Sequence, residues 1–183
     1  DRIGEIASRS DDYAGFRRRI GSDAALALQD LGGVQFAEVA VDTETGIVRV
    51  ERVVAVHDCG RPMNPKLIES QVQGGVLMGL SYALFEQRVL DRHTGRMVNA
   101  NLEQYKLAGP SETPAIDVIL LENYQGHSAT DAYGIAEPAN IATAPAIANA
   151  VCNAIGVRMR SLPMSPATVL AGLRDASTGG RPA

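Results

Sequence analysis

Hydrophobic and polar residues alternate along two stretches of the chain, one starting at Gly33 and the other following Gly46. The segment between them, Asp42–Gly46, is polar and ends in a glycine, which is typical of a β-hairpin turn. We therefore predict two antiparallel strands, the second ending in His57-Asp58-Cys59-Gly60. A similar turn signal at Asp91–Gly95 predicts a second hairpin, and apolar residues within 116–121 predict a further strand.

A long uncharged segment follows the first hairpin and predicts a buried helix. Asn64 is a good N-cap, and Pro65 suits the first helical position. No charged residue occurs from Ser70 to Phe85, so this helix should be buried on most sides, yet it is too short and too polar to span a membrane. Its inward positions recur at four-residue spacing: Ile68, Val72, Val76, Leu80 and Leu84.

Further helices and a strand are predicted towards the C-terminus. Thr143 can cap a helix that Gly156 ends, and Ser165-Pro166 starts a helix that runs through Leu173. Residues 157–162 between these helices alternate like a strand. The sequence therefore predicts an α+β fold, in which antiparallel β-hairpins pack against a buried Gly-rich helix and a second helix follows the loop at Glu137.

The two ends of the chain differ from the middle in composition and in hydrophobic pattern. Residues 1–32 are polar and irregular, with short helices predicted at Asp11–Arg19 and Asp23–Leu31, so we expect a poorly ordered or linker-like segment. Residues 174–183 are rich in Gly, Ser and Pro and should form a disordered tail. We predict one domain over residues 33–173.

Composition and charge exclude several classes of protein. With 183 residues, a net charge of −4 and a pI near 5.4, the chain lacks the basic excess of a nucleic-acid or anionic-membrane binder. Arg17-Arg18-Arg19 is followed by a stretch too short and polar for an export signal. Cys59 and Cys152 are far apart and lack partners at metal-ligand spacing, so neither a disulfide framework nor a metal site is predicted.

The glycines of the buried helix require an explanation. Gly74, Gly75 and Gly79 each destabilise a helix by roughly 1 kcal/mol relative to alanine, which suggests that something approaches the backbone closely. A neighbouring helix or sheet is one explanation, and a ligand is the other. Gln71 and Gln73 beside the glycines favour a ligand, because amides in an apolar helix need polar partners.

One carboxylate stands out as a candidate for catalysis. Glu137 lies in the loop Asp131–Pro138, between a flexible glycine and a rigid proline, before an apolar helix. Partial desolvation there would raise its pKa towards that of a useful general base. An ordinary surface glutamate at the start of a helix is the alternative interpretation, which the loop alone does not exclude.

Other reactive constellations are weaker. His57 and Cys59 have the residue types of a thiol and its base, but side chains alternate along a strand and neighbours rarely pair. His127, Ser128 and Asp131 have the residue types of a serine triad without the nucleophile elbow that would support it. The glycines at 74 and 75 do not form a phosphate loop, because no Lys-Ser/Thr follows them.

Several motifs occur in an order that resembles one enzyme family, the molybdenum hydroxylases, which include xanthine dehydrogenases and aldehyde oxidoreductases. The resemblance covers about residues 33–173 and corresponds to the C-terminal part of the molybdopterin-binding large subunit. It rests on His57-Asp58-Cys59-Gly60-Arg61, Asn64-Pro65, Gln71-Val72-Gln73-Gly74-Gly75, Gly79 to Leu84, Tyr105-Lys106-Leu107, Gly134 to Pro138 and Ala146 to Ala150.

The resemblance implies a site. Glu137 falls on the family's catalytic glutamate, which takes a proton from the hydroxyl on molybdenum as that oxygen attacks an electrophilic carbon of the substrate. Gln71 falls on a glutamine near the pterin, and Gly74 and Gly75 would leave room for the cofactor. The cofactor implied is molybdopterin, in its cytosine dinucleotide form, carrying molybdenum. Iron–sulfur clusters and FAD are implied on partner domains or subunits.

The chain also departs from the family pattern. Tyr133 stands where the family often has Lys, and Ala136 stands where it often has a second Gly. The family's large subunit is several times longer, so we expect this chain to be a small subunit of a split enzyme or an excised domain. The remaining part of the large subunit and the iron–sulfur and flavin subunits are then its expected partners.

We therefore predict part of a hydroxylase that oxidises a small molecule, an aldehyde or an N-heterocycle. The alternative is an isolated or degenerate domain that serves as a scaffold without binding the cofactor. A cytoplasmic location is expected, with the periplasm as the alternative, because relatives occur in both compartments.

Overall fold

The computed structural model describes residues 32–122 and 130–178. The helices predicted at Asp11–Arg19 and Asp23–Leu31 lie outside the described residues, as do His127 and Ser128. Within the described residues the chain forms an α+β fold, as predicted, with helices packed on one face of a three-stranded sheet.

The sheet consists of β1 (Gly32–Val41), β2 (Val48–Asp58) and β3 (Ala115–Leu120), in that order. β1 and β2 form the predicted antiparallel hairpin. Its turn is fixed by Asp42, whose Oδ1 accepts hydrogen bonds from the backbone of Glu44 (2.9 Å) and Thr45 (3.2 Å). β3 pairs with β2 in the parallel direction, an arrangement that the sequence patterns did not predict.

The Gly-rich helix α1 (Pro65–Leu84) begins and packs as predicted. The side chain of Asn64 caps it by accepting a hydrogen bond from the Leu67 backbone at 3.2 Å. α1 covers β2 and β3, whereas a later helix, α3 (Thr143–Ile155), lies along β1. The core between helices and sheet includes Val53, Ala55, Val72, Val76, Leu80, Ile147 and Val151, each at most 1% exposed.

Helix α3 starts differently from our prediction. A short helix, α2 (Pro138–Ile141), precedes it, and Thr143 is already inside α3 rather than at its cap. The Thr143 hydroxyl does not cap α3 because it donates a hydrogen bond to the side chain of Gln35 in β1 at 2.6 Å. The other end was predicted correctly, since Gly156 ends α3 in the left-handed conformation with a φ of 72°.

One further prediction is confirmed in a shorter form, and two are corrected by the structure. The second hairpin is short: an antiparallel bridge joins Leu90 to Met97, and the Val98 N–H donates to the Val89 carbonyl at 2.9 Å. Residues 157–162 form no strand, and the side chains of Val157 and Met159 lie against Gly172. The last helix, α4 (Pro166–Ser177), continues beyond Leu173 into the predicted tail, with the Ser177 hydroxyl bonded to the Arg174 carbonyl.

Across residues 32–122 and 130–178, no helix combines the length and the hydropathy that crossing a membrane would require. The longest of them, α1, has twenty residues but includes Lys66 and Glu69 in its first turns.

Candidate functional site

The segment before Glu137 is attached to the segment that follows β2. The backbone N–H of Tyr133 donates to the Cys59 carbonyl at 2.9 Å, and the N–H of Arg61 donates to the Asp131 carbonyl at 2.6 Å. Gly60 and Ala132 form an antiparallel bridge between these two bonds. We call this arrangement, residues 59–61 with residues 131–133, the clasp.

The clasp depends on backbone conformations that few residues adopt. Gly60 has a φ of 67° and Asp131 a φ of 51°, both in the left-handed region, where glycine is favoured and Asp is one of the tolerated residues. A Cβ at position 60 would approach the Asp131 carbonyl oxygen to 2.1 Å and the ring of Tyr133 to 2.7 Å. Tyr133, which departs from the family pattern, therefore packs against Gly60.

The segment after Glu137 is held by side chains from two other elements. The Gln35 side chain of β1 donates to the Ala139 carbonyl at 2.7 Å and accepts from the Thr143 hydroxyl at 2.6 Å. The Tyr82 hydroxyl of α1 donates to the Asn140 carbonyl at 3.2 Å. Burial raises the pKa of Tyr82, so the phenol can donate this bond over a wider pH range.

Two of the three glycines in α1 are explained by a close contact between helices. A Cβ on Gly75 would lie 2.6 Å from the Cβ of Ala139, and a Cβ on Gly79 would lie 2.5 Å from the Cβ of Thr143. A neighbouring helix, and not a ligand, is therefore what approaches the backbone of α1 at these two positions. From Ala139 to Thr143 the chain therefore advances along α1 in the direction that leads from Gly75 to Gly79.

The side of α1 next to this contact, which faces solvent, is open. A Cβ on Gly74 would meet nothing within 4 Å, and Gln71, one turn before Gly75, is exposed. Met78, one turn beyond Gly74, is 61% exposed. This open side consists of Gln71, Gly74 and Met78, and among the described residues nothing packs over Gly74.

Glu137 lies at the surface, between the segment that the clasp holds and the segment that Gln35 and Tyr82 hold. Its backbone is already helical, and its carbonyl accepts bonds from Asn140 (3.0 Å) and Ile141 (3.2 Å). Because Ala139 lies opposite Gly75 and the chain beyond it advances towards Gly79, Glu137 precedes Ala139 on the side nearer to Gln71. Its side chain is exposed, so the described residues do not provide the partial desolvation that we expected.

The structure gives no support to a thiol–imidazole pair. His57 and Cys59 are both buried, and neither ring nitrogen of His57 has a hydrogen-bond partner among the described residues. Burial lowers the pKa of His57 and raises the pKa of Cys59. Residues 32–122 and 130–178 also contain no group of three or more His, Cys, Asp or Glu side chains suited to a metal ion.

Sequence reasoning missed the residues that hold the Glu137 loop in place. Gln35 is polar at an inward position of β1, between exposed Val34 and Phe36, and this inward polar position was the available signal. Gly60 followed a strand as an ordinary loop glycine would, so its sequence context did not reveal the clasp. Tyr82 lay within an uncharged run and was quoted only as part of the motif Gly79 to Leu84, without a role of its own.

A family model described as "Molybdopterin cofactor-binding domain" matches residues 21–114. The chain is 37% identical over 134 residues to the xanthine dehydrogenase molybdenum-binding subunit of Escherichia coli O157:H7, covering 73% of the chain and 18% of the relative. It is also 38% identical over 141 residues to the aldehyde oxidoreductase molybdenum-binding subunit of Escherichia coli K12. This match covers 76% of the chain and 19% of the relative.

A solved structure agrees with these matches. The aldehyde oxidoreductase of Desulfovibrio gigas superimposes with a TM-score of 0.71 at 28% identity, over 79% of this chain and 15% of that one. The chain thus spans about a fifth or less of the proteins it resembles. The resemblance drawn from the sequence motifs is confirmed, and the chain belongs to the molybdopterin cofactor-binding domain family.

Proposed function

We propose that this chain forms one wall of a molybdenum-cofactor site in an enzyme that hydroxylates an aldehyde or an N-heterocycle. The observation that carries the proposal is the double attachment of the Glu137 loop, by the clasp on one side and by Gln35 and Tyr82 on the other. Such attachment holds one exposed carboxylate in place beside the open side of α1. A fixed but uncovered carboxylate suits a site that a second part of the protein closes.

The residues of the open side fit the cofactor that the family binds. Gln71 offers an exposed amide that can both donate and accept hydrogen bonds. Gly74 leaves the helix backbone uncovered, so a flat polar group can approach it closely. Gly75 acts indirectly, because its missing side chain lets Ala139 and the rest of α2 pack against α1.

The bound molybdopterin, which we infer to be the cytosine dinucleotide form with molybdenum, supplies the redox centre for hydroxylation. The task of this chain is proton transfer, in which a carboxylate oxygen of Glu137 accepts a proton as the substrate is attacked. A general base of this kind contributes about 10²- to 10⁴-fold to the rate. Desolvation that would tune the carboxylate must come from parts of the enzyme outside this chain.

The size of the relatives supports a protein partner for this chain. Two of the relatives are named molybdenum-binding subunits, and each is about five times longer than the matched segment. We infer that this chain works with the remaining part of such a subunit. Iron–sulfur clusters and FAD on partner domains or subunits would carry electrons away, and the cytoplasm is the proposed location, with the periplasm as the alternative.

The test is to replace Glu137 by Gln in the assembled enzyme. We expect kcat to fall by about 10²-fold or more, while the molybdenum and pterin content stays unchanged, because the carboxamide keeps the shape but does not accept the proton. Glu51→Gln, at an exposed position on β2, is the matched control and should retain full activity.

Two results would contradict different parts of the proposal. Full turnover by Glu137→Gln would remove the role of Glu137 while leaving the cofactor site intact. An assembled complex without molybdenum would instead favour the non-catalytic scaffold as the function of this chain.

A further inference from the structure

The two faces of the sheet are covered very differently. Helices α1 and α3 pack on the inner face, whereas the outer face carries a row of apolar side chains across all three strands. Val34 pairs with Val56, and Val56 pairs with Ile119, so the three form one continuous row. Val34 is 46% exposed and Ile119 is 48% exposed.

A second row extends this surface. Phe36, which is 56% exposed, pairs with the half-buried Val54, and this row ends in Asp117 of β3. We call the five residues the outer apolar face: Val34, Phe36, Val54, Val56 and Ile119. An antiparallel hairpin with one face in water normally places polar residues there, so a connected apolar surface of this kind marks an interaction site.

The outer apolar face has a clear boundary. At its far side Arg52 of β2 donates a hydrogen bond to Asp117 of β3, and Glu38 of β1 pairs with Arg52 across the strands. Glu38, Arg52 and Asp117 therefore border the outer apolar face on the side of the first turn, and Asp58, which pairs with Gly32, borders it on the other side. The face lies between these borders, close to the end at which β2 leads into the clasp, so a partner seated there would lie next to the segment that holds Glu137.

We propose that the remaining part of the molybdenum-binding subunit packs against the outer apolar face. The relatives contain about four-fifths of their length beyond the matched segment, which is enough polypeptide to supply a covering layer. The five side chains of the face are apolar and the carboxylates of Asp58 and Asp117 lie at its edges, which suits an apolar layer of protein with a polar rim and not an anionic ligand. This inference rests on the proposed function in one respect, namely that the cofactor site is completed by the rest of the subunit.

The test measures whether the face is covered in the assembled enzyme. Ile119→Cys is introduced with Cys152→Ser, because Cys59 is buried and Cys152 is partly accessible. Reaction of the new thiol with a maleimide is then compared between the 183-residue chain and the complete molybdenum-binding subunit. We expect labelling to be at least about tenfold slower in the complete subunit, since reactivity requires an accessible thiolate.

Glu38→Cys in the same background is the matched control. It lies on the same strand face but at the charged end, and its labelling rate should stay within about twofold between the two forms. Equal labelling of Ile119→Cys in both forms would overturn the proposal. Protection that rises with the concentration of the chain alone would identify a second copy as the occupant and would also overturn it.

Residues 1–31 are another candidate occupant that the experiment separates. If Ile119→Cys is protected in the chain alone at every concentration and becomes reactive when residues 1–31 are removed, the proposal is overturned in favour of that segment. An activity assay is not needed for any of these outcomes. Loss of turnover in Glu137→Gln therefore tests the proposed function independently of the labelling.

A charge on the face provides a second measurement. Ile119→Lys should reduce recovery of the assembled subunit by about tenfold or more, because a buried unpaired ammonium is strongly unfavourable. Glu38→Lys should assemble normally. Circular dichroism of the chain alone would verify that Ile119→Lys still folds, as expected at a half-exposed position, and normal assembly of this folded variant would contradict the proposal.

Discussion

The two sides of helix α1 use the same residue type for different purposes. On the packed side, Gly75 and Gly79 remove side chains so that α2 and α3 can approach, and Ala139 and Thr143 occupy that space. On the open side, Gly74 has no neighbour within 4 Å. A glycine in a helix therefore does not identify a ligand site by itself, and its neighbours decide which interpretation holds.

The largest expected effect comes from filling the packed side. In Gly75→Ala the new Cβ would lie 2.6 Å from the Ala139 Cβ and 2.8 Å from its carbonyl carbon. Because one obstacle is backbone, α2 must shift, and we expect the free energy of unfolding to fall by about 2 to 3 kcal/mol. Urea denaturation of the variant and the unmodified chain measures the difference, and an unchanged midpoint would refute the tight contact.

A smaller effect is expected from removing the polar group that holds α2 to the sheet. Gln35→Leu leaves the Ala139 carbonyl and the Thr143 hydroxyl without their partner in a buried position. We expect a loss of about 1 to 2 kcal/mol of stability. The double variant with Thr143→Val should lose less than the sum of the two single changes, and additive losses would show that the residues are not coupled.

The buried histidine of β2, His57, should make the stability of the chain depend on pH. Burial lowers the pKa of His57 below its ordinary value of 6.5, so the unfolded chain binds the proton more readily than the folded one. The stability contributed by the neutral ring is complete above pH 6.5 and is lost as the pH falls below that value. The slope from this group is at most about 1.4 kcal/mol per pH unit.

His57→Leu tests this dependence. Thermal denaturation between pH 7 and pH 5 should show a flatter profile for the variant, because the replaced group no longer titrates. A variant with the same slope as the unmodified chain would assign the pH dependence to other residues.

The smallest effect on stability is expected on the open side, with the opposite sign. Gly74→Ala should stabilise the chain by roughly 0.5 to 1 kcal/mol, because alanine is the better helix former and the new methyl group meets nothing. In the assembled enzyme the same change should lower the molybdenum content, as measured by elemental analysis. Destabilisation similar to that of Gly75→Ala would show that the two sides of α1 do not differ.

The features predicted correctly from the sequence are those with local causes. The turn at Asp42, the cap at Asn64 and the left-handed Gly156 all depend on residues within a few positions of each other. The parallel pairing of β3 with β2 has no such signal, because the partners are distant in the chain. The strand predicted at residues 157–162 had the right alternation but no neighbouring strand with which to pair.

The candidate site was predictable only in part for the same reason. Glu137 and Gln71 were proposed from their local sequence and from motif order, yet the contacts that hold the Glu137 loop come from other parts of the chain. Thr143 was assigned to a cap because its nearest neighbours suggested one, whereas its actual partner is Gln35 in β1. Thr143 and Gln35 are 108 positions apart. A local sequence pattern does not reveal a partner at that distance along the chain.

The clasp also has a consequence for changes in chain length. Tyr133 is fixed by its bond to Cys59, and Ala139 is fixed by Gln35, so the few residues between them are a tether of set length. Substitution of the exposed residues Gly134 or Ala136 changes the side chains of this connecting segment but not its length. An inserted residue adds about 3.5 Å of chain and would displace the carboxylate by more than the width of a hydrogen bond, so we expect the loop to tolerate exchange of residues far better than insertion or deletion.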